Sequence, residues 1–243
     1  MSRADAKGAA LGTEVMVERV VKRTPDGKTV LGGVSFEVLP GSHAALIGPN
    51  GSGKTTLLML LAGVDLPDEG AILLDGLSLA CFDYFDLRDH RIMTGYVFED
   101  QGLLTNLSIL ENVALPLRYH HGSELDDSEI RLRVLALLTE LEIDFAASLT
   151  PARTNISVRK RALLARALLL NPRLLLIDEP QGGLVTGEQE LVRRACENRR
   201  KARGMTIIHT DHDGNFGALV PGRVIRFDQG LISAIGAPGE VKV

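Results

Sequence analysis

Cysteine is scarce. Only Cys81 and Cys196 occur among 243 residues, far apart and without metal-type spacing. That excludes a disulfide framework and a cysteine-based zinc site, and fits a reduced, intracellular, structural pair. Positive charge is not in excess either. The 27 Lys and Arg are outnumbered by 31 Asp and Glu, giving a net charge of −4. Nucleic acid as the main partner is thereby disfavoured. No apolar run approaches the roughly 18–20 residues of a membrane span, and the first ten residues lack a signal peptide's apolar region. These absences predict a cytosolic protein. Internal repeats and low-complexity segments are also missing, while the apolar share of 45% is enough to bury a sizeable core.

What is present alternates short apolar runs with longer helical patterns. Val15–Val21, Val34–Leu39, Ala71–Leu74 and Tyr96–Phe98 read as strands, with a turn at Pro25-Asp26-Gly27 between the first two. Residues 103–150 are leucine-rich at helical spacing. Within them Asp126–Leu141 is an amphipathic helix behind a loop at His120-His121-Gly122-Ser123. Leu174–Ile177, Met205–Ile208, Val224–Phe227 and Gly230–Ile235 return to strands. The pattern predicts an α/β fold with a helical insertion.

The most informative stretch is Gly48-Pro49-Asn50-Gly51-Ser52-Gly53-Lys54-Thr55-Thr56, which fits G-x-x-x-x-G-K-[ST]. A buried-strand pattern, His43–Ile47, precedes it, and a helical one, Leu57–Ala62, follows. Glycines let the backbone wrap phosphate oxygens, and the helix start points N–H groups at the anion. Lys54 places a point charge on the outer phosphates, and the Thr55 hydroxyl ligates Mg²⁺. Residues 48–56 thus predict binding of a nucleoside triphosphate with Mg²⁺.

A second motif is Leu174-Leu175-Leu176-Ile177-Asp178-Glu179-Pro180. Its apolar strand delivers two carboxylates: Asp178 for Mg²⁺, and Glu179 as general base on the attacking water. After the Met205–Ile208 run comes Thr210-Asp211-His212-Asp213, where His212 can reach the γ-phosphate. His209 and the doublet His120-His121 compete with it on composition alone.

Together these residues resemble the ATP-binding subunit of an ATP-binding-cassette (ABC) transporter over nearly the whole chain. The likeness also rests on Gly95–Asp100, Leu107–Val113 and Arg161–Leu168. It implies a P-loop NTPase fold at 13–243, with a RecA-like core, an antiparallel β subdomain and a helical subdomain at about 103–168. Residues 1–12 are expected to be a flexible lead, and no room is expected after Glu240 for an added regulatory domain. The resemblance further implies catalytic Glu179, His212 and Lys54, and head-to-tail dimers that sandwich ATP between one P-loop and the other chain's signature motif. Permease subunits in the membrane are the implied partners, with this subunit cytoplasmic and peripheral on the inner face.

The chain also departs from that family. Where Leu-Ser-Gly-Gly-Gln is usual, alignment on Ala165–Leu168 gives Thr154-Asn155-Ile156-Ser157-Val158. Asn155 can cap the helix and donate to phosphate. A gapped register instead puts Ser157 in the serine's role, so both are candidate nucleotide contacts. Glu99 stands where glutamine is usual and is a candidate Mg²⁺ ligand, with Gln101 two residues later. Val185 replaces an aspartate, and no aromatic lies between Val20 and Gly33 to stack on adenine. The pattern implies an intact site of the chain's own and a degraded contribution across the dimer. A slow or asymmetric motor follows, as homodimer or as heterodimer with a second ATPase subunit.

The segment Gly102–Tyr119 is similar to ABC subunits that handle lipids or lipoproteins. Leu103, Leu104, Leu107 and Ile109, with rim residues such as Glu111, are either a docking surface for a membrane subunit or the helical subdomain's core. An alternative to the motor is a nucleotide-gated assembly module that hydrolyses ATP poorly. A non-transport ABC protein is disfavoured by the single cassette.

Overall fold

A computed structural model describes residues 12–98, 102–122, 124–212 and 221–241. Strands β1 (Val15–Arg23) and β2 (Thr29–Val38) form an antiparallel hairpin. Its turn closes by Thr24 N–H donating to Lys28 O at 2.9 Å, with Gly27 at φ 85°. β4 (Glu69–Leu74) pairs with β1, and the short β5 (Leu77–Ser78) completes a sheet of order β2-β1-β4-β5. Buried Val15, Val17 and Val20 of β1 belong to the core that also holds Leu57 and Leu58.

The second sheet has the order β10-β9-β3-β8-β7-β6. Its strands are β3 (His43–Ile47), β6 (Thr94–Val97), β7 (Leu174–Ile177), β8 (Thr206–Asp211), β9 (Arg223–Asp228) and β10 (Leu231–Gly236). All neighbours are parallel except the β9–β10 pair. Every residue of β3, β8 and β7 is buried, as expected of inner parallel strands covered on both faces. Their carboxyl ends lie in register: Ile47 is opposite Asp211 and Arg226, and Ile177 opposite His209 and Val97.

Helices α1 (Lys54–Leu61) and α2 (Tyr84–Ile92) accompany the sheets. Helices α3 (Ile109–His121), α4 (Asp127–Glu140) and α5 (Ile156–Leu168) share one core built on Ile109, Val113, Val134, Leu138 and Ala162. Ser108 and Glu111 form a capping box at the start of α3, and Asp126 caps α4 by accepting from Glu129 N–H at 2.8 Å. Arg161 of α5 donates to Leu141 O at 2.9 Å, satisfying a carbonyl at the end of α4. The long α6 (Thr186–Arg203) follows β7. None of the described helices is long and apolar enough to cross a membrane.

Most predicted strands sit within two or three residues of the observed ones; the hairpin strand β2 begins earlier, at Thr29. One expectation is corrected. His120 and His121 lie in the last turn of α3, where basic side chains oppose the helix dipole, rather than in a loop. The last turns of α6 are basic, with Arg199 paired to Glu140 of α4 and Arg200 to Glu197. Strand β5 and helix α2 had no sequence expectation; α2 is charged and has no buried residue, so it carries no apolar stripe.

Within the second sheet, His43 of β3 and His209 of β8 pack ring to ring, with Nε2 to Nδ1 at 2.8 Å. Both are buried, with Glu197 and Arg200 of α6 facing His43. Burial pushes His43 down to about 4, and His209 well below its ordinary value. A lowered histidine pKa favours the fold above about pH 6.5, and that stability is lost as pH falls towards 4. Between pH 7 and pH 5 His43 should cost about 2 kcal/mol of folding stability. Denaturant unfolding of wild type and His43→Gln at the two pH values tests this, and an equal acid loss in both would contradict it.

Candidate nucleotide-binding site

The loop from Gly48 to Gly53 runs from the end of β3 into α1. Its glycines are required by contact. A Cβ on Gly48 (φ 148°) would stand 2.2 Å from Phe227 O of β9. On Gly53 (φ 98°) it would meet Leu31 at 2.7 Å and Val30 O at 2.8 Å. The loop is therefore wedged between the two sheets. Gly53 is the N-cap of α1 and offers no side-chain cap, so the helix start faces a ligand position with its N–H groups.

Lys54 is buried and donates from Nζ to Gly48 O at 2.6 Å and Pro49 O at 2.9 Å, folding over the loop. Pro49, Asn50, Gly51 and Thr55 are exposed, Thr56 is half-buried, and the hydroxyl of Ser52 is buried without a hydrogen-bond partner. An orphaned hydroxyl in a glycine cradle beside a lysine suits a polyanion.

The acidic pair ends β7 at the same sheet edge. Asp178 is buried, and Oδ1 accepts from the Thr210 hydroxyl of β8 at 2.6 Å. The same Thr210 oxygen accepts from Glu179 N–H at 2.9 Å. Glu179 itself is in the left-handed region at φ 49°, and its Oε1 lies against His212 Nε2. Gln181 Nε2 donates to Asp211. Tyr96 of β6 has its phenol buried, and burial first, then the nearby Asp178 charge, raise it above its ordinary pKa. Thr55 and Asp178 are hard oxygen donors of the kind Mg²⁺ takes. Candidate ligand Glu99, together with Gln101 and Asp213, lies outside the described residues.

The start of α5 is arranged differently. Asn155 is exposed, and its Oδ1 accepts from Val158 N–H at 2.8 Å, capping the helix. Ser157 is buried and donates to Glu188 Oε1 at 2.5 Å, while its oxygen accepts from Arg161 at 3.1 Å. Ile156 takes the outward place, packed against Gly183. Val185 is exposed ahead of α6, and Glu188 Oε2 accepts from its N–H at 3.0 Å.

Of the proposed docking residues, Leu104 is exposed and Leu103 and Leu107 half-buried, but Ile109 is in the helical core. Glu111 is half-buried and closes the α3 cap, accepting from Ser108 N–H and Oγ, each at 2.7 Å. Three contributors had no sequence reading: Thr210, Lys160 and Glu188. Lys160 carried a usable signal, because it lies one turn before Leu164 and two before Leu168 on a buried stripe.

The ABC transporter family model matches residues 31–182. The chain belongs to the ABC transporter family. A sulfate/thiosulfate import ATP-binding protein CysA of Pseudomonas syringae pv. tomato is 33% identical over 224 residues, covering 92% of this chain and 67% of that protein. The protein of the same name from Bordetella bronchiseptica is 35% identical over 209 residues, 86% of this chain and 58% of its own. This chain thus spans roughly three fifths to two thirds of these relatives' length. Among solved structures, the dimeric post-hydrolysis state of the ATP-binding cassette MJ0796 bound to ADP and Pi superposes with a TM-score of 0.86. Identity is 28%, covering 92% of this chain and 98% of that one. CbiO1 of Clostridium perfringens, part of the ABC transporter complex cbiONQ, gives 0.79 at 27% identity, covering 93% and 89%.

The fold is therefore that of an ABC ATPase cassette, a family that binds ATP with Mg²⁺. The lipid-handling resemblance gains no support, since these curated relatives are named for sulfate and thiosulfate import. Thr210→Val removes the hydroxyl shared by Asp178 and Glu179. ATP turnover should fall about tenfold, with nucleotide binding in EDTA unchanged; fluorescent-nucleotide titration and phosphate release check this, and undiminished turnover would contradict it.

Proposed function

We propose that this chain is the ATP-hydrolysing motor subunit of a transporter whose substrate path lies in separate membrane subunits. The observation that carries the reading is the meeting of three loops at one sheet edge: the Gly48–Thr56 loop, the Asp178-Glu179 strand end, and His212 paired to Glu179. Backbone N–H groups of residues 51–56 and the Lys54 ammonium bind the β- and γ-phosphates. Thr55 and Asp178 hold Mg²⁺, which when bound neutralises developing charge on the phosphates. Glu179 takes a proton from the attacking water, and His212 holds that carboxylate on one side of the site.

The peripheral site on the inner face of the membrane follows from the same reading. A cleft of about 430 Å³ between α2, β6 and α3, lined by Arg91, Tyr96, Tyr119, His120 and Arg166, is the place a membrane subunit would engage. The cargo is set by those subunits. Sulfate-class oxyanions, the named cargo of the relatives, are the first to assay, ahead of lipids.

A second reading is favoured by one observation. With Ser157 turned into the Glu188–Arg161 pair and Ile156 in the outward place, the chain offers a partner's γ-phosphate little beyond Asn155 and backbone. An asymmetric dimer, or a nucleotide-gated module that hydrolyses slowly, fits that arrangement. The complex purified through a tag on this chain distinguishes them. We expect Lys54→Ala to abolish phosphate release and Glu179→Gln to reduce it at least about a hundredfold. Unchanged release in both variants would remove the motor reading.

A further inference from the structure

We propose that Lys160 is a positioning residue for Glu179, tying the orientation of that carboxylate to helix α5. The inference rests on the proposed role of Glu179 as general base. Lys160 is on the inner face of α5 and only 8% exposed, among Leu164, Ile177 and Val192. A lysine is buried that far only with a partner. Its partner is the main chain: Nζ donates to Glu179 O at 3.1 Å.

The acceptor is the one backbone position of the acidic pair that departs from ordinary geometry. Glu179 is a non-glycine residue at φ 49° and must be held there by its surroundings. Its N–H is fixed by Thr210 of β8 and its carbonyl by Lys160 of α5, so both flanking peptide groups are clamped from different elements. Gly182 makes room for the lysine head, since a Cβ at that position would stand 2.6 Å from Nζ.

A second tie runs along the same helix. Ser157 and Arg161 reach Glu188, whose other oxygen holds Val185 N–H. The segment 179–188 is thus fastened near both ends to α5. The first turn of α5 is the surface that Asn155 caps, and in the proposed dimer it meets the partner's nucleotide. Displacement of α5 therefore carries the Glu179 backbone with it, whereas the Gly48–Thr56 loop has no contact with Lys160 among the described bonds.

The test uses Lys160→Met, which keeps the apolar stem and removes the donor, with Lys160→Arg as the conservative variant and Gly182→Ala to crowd the ammonium. ATP turnover is measured on the complex purified through this chain, and amide hydrogen exchange on the chain alone. Lys160→Met should lower kcat about 10–100-fold with KM for ATP within about twofold. It should speed exchange at Gln181–Gly183 and leave Gly51–Thr56 unchanged. Lys160→Arg should restore most of kcat, and Gly182→Ala should reproduce part of the loss. Wild-type kcat and unchanged exchange in Lys160→Met would overturn the inference. So would a loss of kcat matched by a fall in Tm and not relieved by arginine, because that is a folding role only. Glu179→Gln separates the two levels. If it retains full turnover, the base assignment and this inference both fail; if it is inactive while Lys160→Met is normal, only the positioning role fails.

Discussion

Everything at the sheet edge depends on how tightly the Gly48–Gly53 loop is wedged between two sheets. Gly48 lies against the Phe227 carbonyl of β9 and Gly53 against Val30 and Leu31 of β2, with no space for a β-carbon at either place. That contact aims the start of α1 and puts Lys54 and Thr55 where the parallel strands end. A looser loop would leave the same residues without a shared geometry. The antiparallel sheet is therefore part of the site, although it contributes no charged side chain to it.

The acidic pair is organised by the neighbouring strand. Thr210 sits beside β7 because β7 and β8 are parallel and in register, Ile177 opposite His209. One hydroxyl can then serve Asp178 and the Glu179 amide together. From the other side α5 reaches the Glu179 carbonyl through Lys160. Two short polar contacts from separate elements hold a backbone angle that glutamate would otherwise avoid. The same α5 face carries Ser157, which donates to Glu188.

The nucleotide loop and acidic strand were legible because their signals are local. Glycine spacing, a lysine–threonine pair and an apolar run ending in Asp-Glu each declare their chemistry within nine residues or fewer. The helix expected at 126–141 was legible from its spacing, and α4 occupies nearly that span. The partners of Thr210, Lys160 and Glu188 were not, since each lies 19 to 32 positions away and is fixed only by sheet register and helix packing. His120 and His121 looked like loop residues because composition cannot distinguish a polar turn from a helix's last turn. Ile109 and Glu111 could not be assigned to docking or core from spacing, and packing decided it: one fills the helical core and the other closes a cap. Cargo was beyond reach, because in the proposed function the membrane subunits choose it.

The central claim is that a triphosphate occupies the glycine cradle above α1. Equilibrium dialysis of the full chain with labelled ATP and Mg²⁺ tests it most directly, comparing wild type with Gly48→Ala at matched folding by circular dichroism. The account predicts saturable uptake of about one nucleotide per chain by wild type, lost in Gly48→Ala because a methyl group there must push the loop off Phe227. Equal uptake by both proteins, or none by well-folded wild type, would contradict it.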